Sequence, residues 1–299
     1  MLLALTHLDS TLFVDLLVAG LVSGATYALA AAGLALIYGV MEVINMAHGE
    51  LYMAGAFVGY LGVTHLHWPY VAVLLLATAV LGLFGLVLHD GLLAPLGTRG
   101  QFERGIVLTL GVSLILQNGA FAIFGPEPKT LTIPLTFKTF DVGGHVLVAS
   151  RVYAVLCAFA AFALLYVVLN HTTIGRSMRG AAQNPTAALM VGLNPKRVAR
   201  LTVVLGSALA GLAGCALTYV YNVHPTVGIS VVFTAFAVII IGGLGSLTGT
   251  IVTAFGLGLT QSFVGGLVST TLQDAVAFSL MMLVLFLRPQ GIFGRGVRL

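Results

Sequence analysis

The chain has 299 residues, of which 59% are hydrophobic and only 7% charged, and its mean hydropathy is +1.08. A soluble domain carries about 25% charged residues, so a chain this poor in charge cannot wet the surface of a soluble domain of its length. Soluble enzymes, secreted disulfide scaffolds and nucleic-acid binders are excluded; the net charge of +4 is the excess that basic residues flanking membrane spans leave.

Residues 1–10 lack the basic start of a cleavable leader, and Asp9 and Asp15 interrupt the first apolar run. The chain is therefore expected to insert by its own first span. A helix needs about 20 apolar residues to cross the hydrocarbon core. The run 12–40 exceeds that and reads as one long tilted helix or two joined pieces. A polar stretch with Glu42, Asn45, His48 and Glu50 follows, and apolar sequence then resumes to Val63. His65, His67, Trp68 and Pro69 mark a water interface. Further spans are expected near 70–89, 105–124, 151–170, 201–221, 228–245, 249–268 and 274–288. The fold class is an all-α polytopic membrane protein with about nine helices, counted as eight to ten according to how the break near residue 45 is drawn. The whole of 1–299 reads as a single transmembrane domain.

Ten of the thirteen Lys and Arg residues fall in three segments: Arg99 and Arg104; Arg176, Arg179, Lys196, Arg197 and Arg200; Arg288, Arg295 and Arg298. The positive-inside rule makes these cytoplasmic. The loop 125–150, with Pro126, Pro128 and Pro134, then lies outside. Its alternating runs, 131–135 and 145–149, read as short strands or a small hairpin. Nine spans put the N-terminus outside; eight or ten put it inside.

Thirty-seven glycines imply close helix packing, since small residues let backbones approach in lipid. Gly20-x-x-x-Gly24 and Gly55-x-x-x-Gly59 have the spacing. Two interruptions stand out: Asn45-Met-Ala-His-Gly-Glu50, and Ile241 to Gly249 with Gly242, Gly243, Gly245 and Ser246. Interrupted segments in corresponding halves point to a transporter pathway. Small-residue segments upstream of each, 23–30 and 206–213, suggest a degenerate internal repeat. For Glu42, Asn45, His48 and Glu50 two readings fit: a pathway or gate element, or a helix-break device whose side chains bond freed backbone groups. Gln117 and Asn118 either line a path or bond across helices. Cys157 and Cys215, both in apolar runs, read as small core residues. No zinc-protease or phosphate-loop motif is present. No catalytic residue, metal or cofactor is expected, and any ATP hydrolysis must come from another chain.

Residues 171–200 form a long cytoplasmic connector. Asn184-Pro185 is a helix start, with Asn at the cap and Pro at the first position, and Gly192 with Pro195 is its end. A short helix over 184–193 is expected, offering Ala187, Leu189, Met190 and Leu193 to a partner.

Three stretches together resemble one family. Ser23-Gly-Ala-Thr-Tyr-Ala-Leu-Ala runs on into Ile44-Asn-Met-Ala-His-Gly-Glu50. Gly175-Arg-Ser-Met-Arg-Gly-Ala-Ala-Gln-Asn184 leads to Ala187-Ala-x-x-x-Gly192. Ile241-Gly-Gly-Leu-Gly-Ser-Leu-Thr-Gly249 closes the set. Over nearly its whole length the chain resembles the shorter permease type of ATP-binding-cassette importers for branched-chain amino acids. The resemblance implies a type II importer-like permease of partly broken helices in the inner membrane, forming half of the translocation pathway. It also implies a second permease subunit, two ATP-binding subunits and an extracytoplasmic solute-binding protein. ATPase coupling falls by this resemblance on Arg176, Arg179, Asn184, Thr186, Ala187, Ala188 and Gly192, with Thr186 standing where importers generally have Glu. Met46 stands where Phe is expected. Relatives of this kind also move urea, short amides and other amino acids, and a stand-alone secondary transporter or channel is the competing class.

Overall fold

The computed structural model describes residues 10–96, 101–131, 139–142, 145–218 and 220–294. Helix α1, Ser10–Met41, is a single 32-residue helix. At 1.5 Å per residue it spans about 48 Å, well beyond a hydrocarbon core of about 30 Å. It is apolar all round, as a helix surrounded by other helices must be, and Ala28, Ala31 and Ala32 are fully buried. It stops at Glu42, which takes a left-handed backbone with φ of +54°.

After the break come α2 (His48–Thr64) and α3 (Tyr70–Val87). The chain continues from α3 through a wide turn at Leu88–Leu93 and a tight one at Ala94–Leu96. Then follow α4 (Gln101–Phe124) and α5 (Ala149–His171). Between them, β1 (Thr139–Val142) pairs antiparallel with β2 (His145–Val148), Thr139 opposite Val148 and Val142 opposite His145. The expected hairpin is present, but its first strand is 139–142; most of 131–135 lies outside the described residues. Lys129 and Val223 exchange backbone hydrogen bonds of 2.7 and 2.8 Å, which tie this loop to the end of the connector after α8.

Helices α6 (Thr173–Gln183) and α7 (Pro185–Met190) make up the connector expected in the cytoplasm. Next come α8 (Pro195–Leu217), α9 (Val227–Gly242), α10 (Leu247–Leu267) and α11 (Leu272–Leu287). Among the described residues six helices are long and apolar enough to cross a membrane, those within Thr11–Met41, Tyr70–Leu96, Phe102–Phe124, Ala149–His171, Pro195–Leu217 and Leu247–Leu267. α9 and α11, at 16 residues each, are shorter.

The core is built on α1, α8 and α10. α1 lies along α10, while α2 and α3 lie along α8. Over their most apolar stretches, 56% of α8 is buried inside the chain against 11% of α4, so α8 is central and α4 peripheral. Glycine sets the contact distances. A Cβ on Gly258 of α10 would overlap the backbone of Gly24 and Gly20 on α1, and one on Gly55 of α2 would overlap Gly211 of α8. Both spaced glycine pairs are thus the seams of helix crossings.

At the end of the bundle where the basic residues gather, Asp90 accepts hydrogen bonds from Arg200 Nε at 2.9 Å and joins His89 Nδ1 at 2.7 Å. These contacts pin the wide turn after α3 to the first turns of α8.

Candidate functional site

A cavity of about 720 Å³ opens at the basic end, between the last turns of α1, the last turns of α5, α6 and the start of α10. Leu36, Phe162, Leu165 and Ile251 give it an apolar wall, and Glu42, Arg179, Asn170, Ser246 and Thr248 give it polar edges. Its size lies within the range of about 300–1,000 Å³ usual for small-molecule sites. Two sequence features meet there. The end of α1 supplies Tyr38, Gly39 and Glu42, and the α9–α10 turn supplies Gly245 and Ser246.

The α9–α10 turn works because of its glycines. Gly243 and Gly245 have φ of +101° and +79°, which a side chain would strain. Ser246 then caps α10 by accepting from Gly249 N at 3.1 Å. Gly242 packs directly on Gly249. A C-terminal segment lies across this turn: Ile292 N donates to Ile241 O at 2.8 Å and Phe293 N to Gly242 O at 3.1 Å. Phe293 reaches the cavity wall. Sequence reasoning missed this strap, because a backbone pairing between residues fifty-one apart leaves no periodic trace.

The connector is three helix starts in series, each capped by its own side chain. Thr172 accepts from Gly175 N at 3.2 Å, Asn184 from Ala187 N at 2.9 Å, and Asn194 from Lys196 N at 3.0 Å. Gly192, with φ of +81°, lets the chain reverse after α7, where Gly192 N donates to Leu189 O and Leu193 N to Ala188 O, both at 3.0 Å. The expected helix over 184–193 is therefore shorter, at six residues. Of the residues expected to be offered to a partner, Ala187, Leu189 and Met190 are exposed and Leu193 is half-buried. Ala188 is buried, packed in one cluster with Met178, Ala181, Leu165 and Val198, so it anchors α7 and is not open to a partner. Leu193 belongs to the same cluster as a half-buried member. The outward tip is Leu189, Met190 and Val191, with Met190 86% exposed. Thr186 and Ala187 are also exposed, as are Arg176, Lys196 and Arg197. Arg179 instead lines the cavity and donates from Nη1 to Asn170 Oδ1 at 3.4 Å.

The break after α1 is a different environment. Asn45, His48 and Glu50 are 0%, 1% and 1% exposed. His48 Nε2 meets the Ala30 carbonyl of α1 at 2.8 Å, Asn45 Oδ1 accepts from Ala47 N at 3.1 Å, and Met46 N donates to Thr109 Oγ1 at 3.0 Å. The close fit comes from Gly33, where a Cβ would meet the His48 ring, and from Gly49, where it would overlap the Gly228 carbonyl. Among the described residues, Glu50 takes only a long contact of 3.4 Å from Ser113 Oγ. None of Asn45, His48 and Glu50 borders the cavity that Gly245 and Ser246 line. Gln117 and Asn118 are on the peripheral α4, where Asn118 Nδ2 donates back to Leu114 O at 2.8 Å within its own helix. The residues singled out by polarity thus separate into buried packing groups, a peripheral pair and a cavity edge.

A bundle of long apolar helices with a capped connector at its basic end and an adjoining cavity defines a multi-pass membrane protein. Residues 16–285 match the family described as branched-chain amino acid transport system / permease component, and the chain belongs to that family. It is 29% identical over 298 residues to the high-affinity branched-chain amino acid transport system permease protein BraD of Pseudomonas aeruginosa, covering 95% of this chain and 96% of BraD. It is 29% identical to the corresponding permease protein LivH of Escherichia coli K12, covering 92% and 94%. A probable branched-chain amino acid transport permease LivH of Methanocaldococcus jannaschii is 25% identical, covering 89% and 88%. Among solved structures, PsaBC from Streptococcus pneumoniae in complex with Fab aligns over 91% of both chains, with a TM-score of 0.49 and 13% identity.

Proposed function

We propose that this chain is a permease subunit of an ATP-binding-cassette importer of the inner membrane, forming half of a translocation pathway for branched-chain amino acids. The observation that carries this reading is similarity across nearly the full length to BraD and LivH, both named as permease proteins of high-affinity branched-chain amino acid transport systems. On this reading the whole chain is one transmembrane domain. α1 to α5 and α8 to α11 all cross, α2, α9 and α11 as shorter crossings, and the N-terminus lies outside. The two interrupted halves descend from an internal repeat.

The chain works with a second permease subunit, two ATP-binding subunits and an extracytoplasmic solute-binding protein. Its exposed Leu189–Val191 tip, on a connector that also exposes Arg176, Lys196 and Arg197, is the part that meets an ATP-binding subunit. The last turns of α1, the α9–α10 turn and the cavity between them serve the inner half of the pathway. ATP hydrolysis belongs to the partner chains, and this chain needs no cofactor or metal. Affinity purification of the tagged chain from its own host tests the assembly: a second permease and ATP-binding chains should co-purify in fixed proportion. A chain that purifies alone from membranes where it is transport-competent contradicts the reading.

A further inference from the structure

Among the described residues, the cavity at the basic end holds two opposite charges, Glu42 and Arg179, that do not pair with each other. Glu42 makes no ion pair among the described residues; the ion pairs recorded there are those of Asp90 with His89 and Arg200. Its carboxylate stands on a backbone turned into the left-handed region, φ +54°, a conformation that surroundings must hold in place for a residue with a Cβ. Arg179, which lines the same cavity, has among the described residues a single long contact of 3.4 Å, to Asn170, which leaves most of its five donors open to a ligand. The same cavity has an apolar wall of Leu36, Phe162, Leu165 and Ile251. One anion, one cation and an aliphatic wall in one cavity match the three parts of an apolar amino acid.

We infer that this cavity is a low-affinity site for a zwitterionic aliphatic amino acid. The α-ammonium turns to Glu42, the α-carboxylate to Arg179 and the side chain to the Leu36–Phe162–Ile251 wall. The zwitterion follows from the two charges; the choice of a branched side chain rests on the permease reading above. The site bridges α1 and α6, and α6 leads through Asn184 into α7. Solute arriving from the cytoplasmic side therefore ties the connector to the core of the bundle, which gives the interior pool a direct hold on the coupling tip. Exposed charges of this kind bind weakly, which suits a site a solute must leave.

The test uses Thr248, an exposed residue on the cavity edge. The Thr248→Cys chain, in its purified transporter complex without nucleotide or binding protein, is labelled with a neutral maleimide. Peptide-resolved mass spectrometry reads the rate at position 248 alone. With a Kd on the order of 1 mM, roughly 2 mM leucine slows labelling about threefold. Leucinamide, which lacks the carboxylate, and 4-methylpentanoate, which lacks the ammonium, leave the rate near its unliganded value. In Glu42→Gln or Arg179→Gln, roughly fivefold more leucine is needed for the same protection, the size expected of one exposed charge contact. The comparison of the three ligands needs neither charge variant, so misfolding of either leaves the result readable. Indifference of the rate to leucine, or equal protection by all three ligands, overturns the inference. If the complete transporter carries leucine while labelling is indifferent to it, the site is refuted and the permease reading stands. If labelling responds to leucine while the transporter carries no branched-chain amino acid, the site stands and the reading falls.

Discussion

The chain interrupts its apolar runs twice with the same vocabulary of glycine and short polar residues, at 45–50 and at 242–249, yet the two interruptions do opposite work. In the first, Asn45, His48 and Glu50 are sealed inside the packing and the glycines let helices touch. In the second, Gly243 and Gly245 supply backbone angles that other residues resist, and Leu244 and Gly245 are exposed. A polar break in a membrane helix announces that backbone groups are freed. Whether they are satisfied by buried side chains or presented at a surface depends on what packs against them. Here Gly33 and Gly228 close over the first break, and the second opens on a cavity.

The sharpest way to break this contrast is a side chain at Gly49. A Cβ there overlaps the Gly228 carbonyl, so Gly49→Val should cost ~3 kcal/mol or more and abolish the folded protein in detergent, as read by size-exclusion and thermal unfolding. Gly256, with open space around its position, accepts Val with a change of about 0.5 kcal/mol or less. A Gly49→Val chain that melts like the parent would show that the first interruption is not packed as described.

The connector offers the next contrast. Ala188→Arg should destabilise by ~3 kcal/mol, because a long cation enters the Met178–Ala181–Val198 cluster unpaired. Met190→Arg should leave unfolding within about 0.5 kcal/mol of the parent while solute-stimulated ATP hydrolysis by the reconstituted complex falls roughly tenfold or more, an order typical of losing an interface anchor worth over 1 kcal/mol. Normal coupling in Met190→Arg would remove the tip from the ATPase contact.

Cysteine accessibility separates the two interruptions without relying on stability. Asn45→Cys and His48→Cys should resist a water-soluble thiol reagent, since both sites are at or below 1% exposed. Ser246→Cys, on the cavity edge, should react. Equal rates at all three would erase the distinction. The smallest effect is at the cap itself: Ser246→Ala should lower stability by ~1 kcal/mol through loss of the bond from Gly249 N, visible as a modest shift in thermal unfolding.

Much of the architecture was legible because hydrocarbon imposes length and apolarity on every span. The runs 12–40 and 70–89 foreshadow α1 and α3, and the break near residue 45 is real. Ends were less legible where capping decides them. α8 begins at Pro195, not near 201, because Asn194 caps it, and it stops at Leu217, not 221. The short α7 is legible in Asn184-Pro185, and Ala187, Leu189 and Met190 are exposed as expected, but the burial of Ala188 is not legible. Six residues are too few for periodicity to say which side is covered, and Ala188 is covered by Met178 and Val198 from two other helices. The cavity was not legible at all. Glu42 and Arg179 are 137 positions apart in the sequence, and only the convergence of α1, α5, α6 and α10 brings them to one space.

Leucine uptake into proteoliposomes, measured with the chain alone and then with its permease partner, ATP-binding subunits and solute-binding protein added, tests the central claim most directly. The account predicts no saturable uptake by the chain alone and ATP-dependent uptake once every component is present. Saturable uptake by the isolated chain, independent of ATP, would contradict it and make the protein a stand-alone carrier.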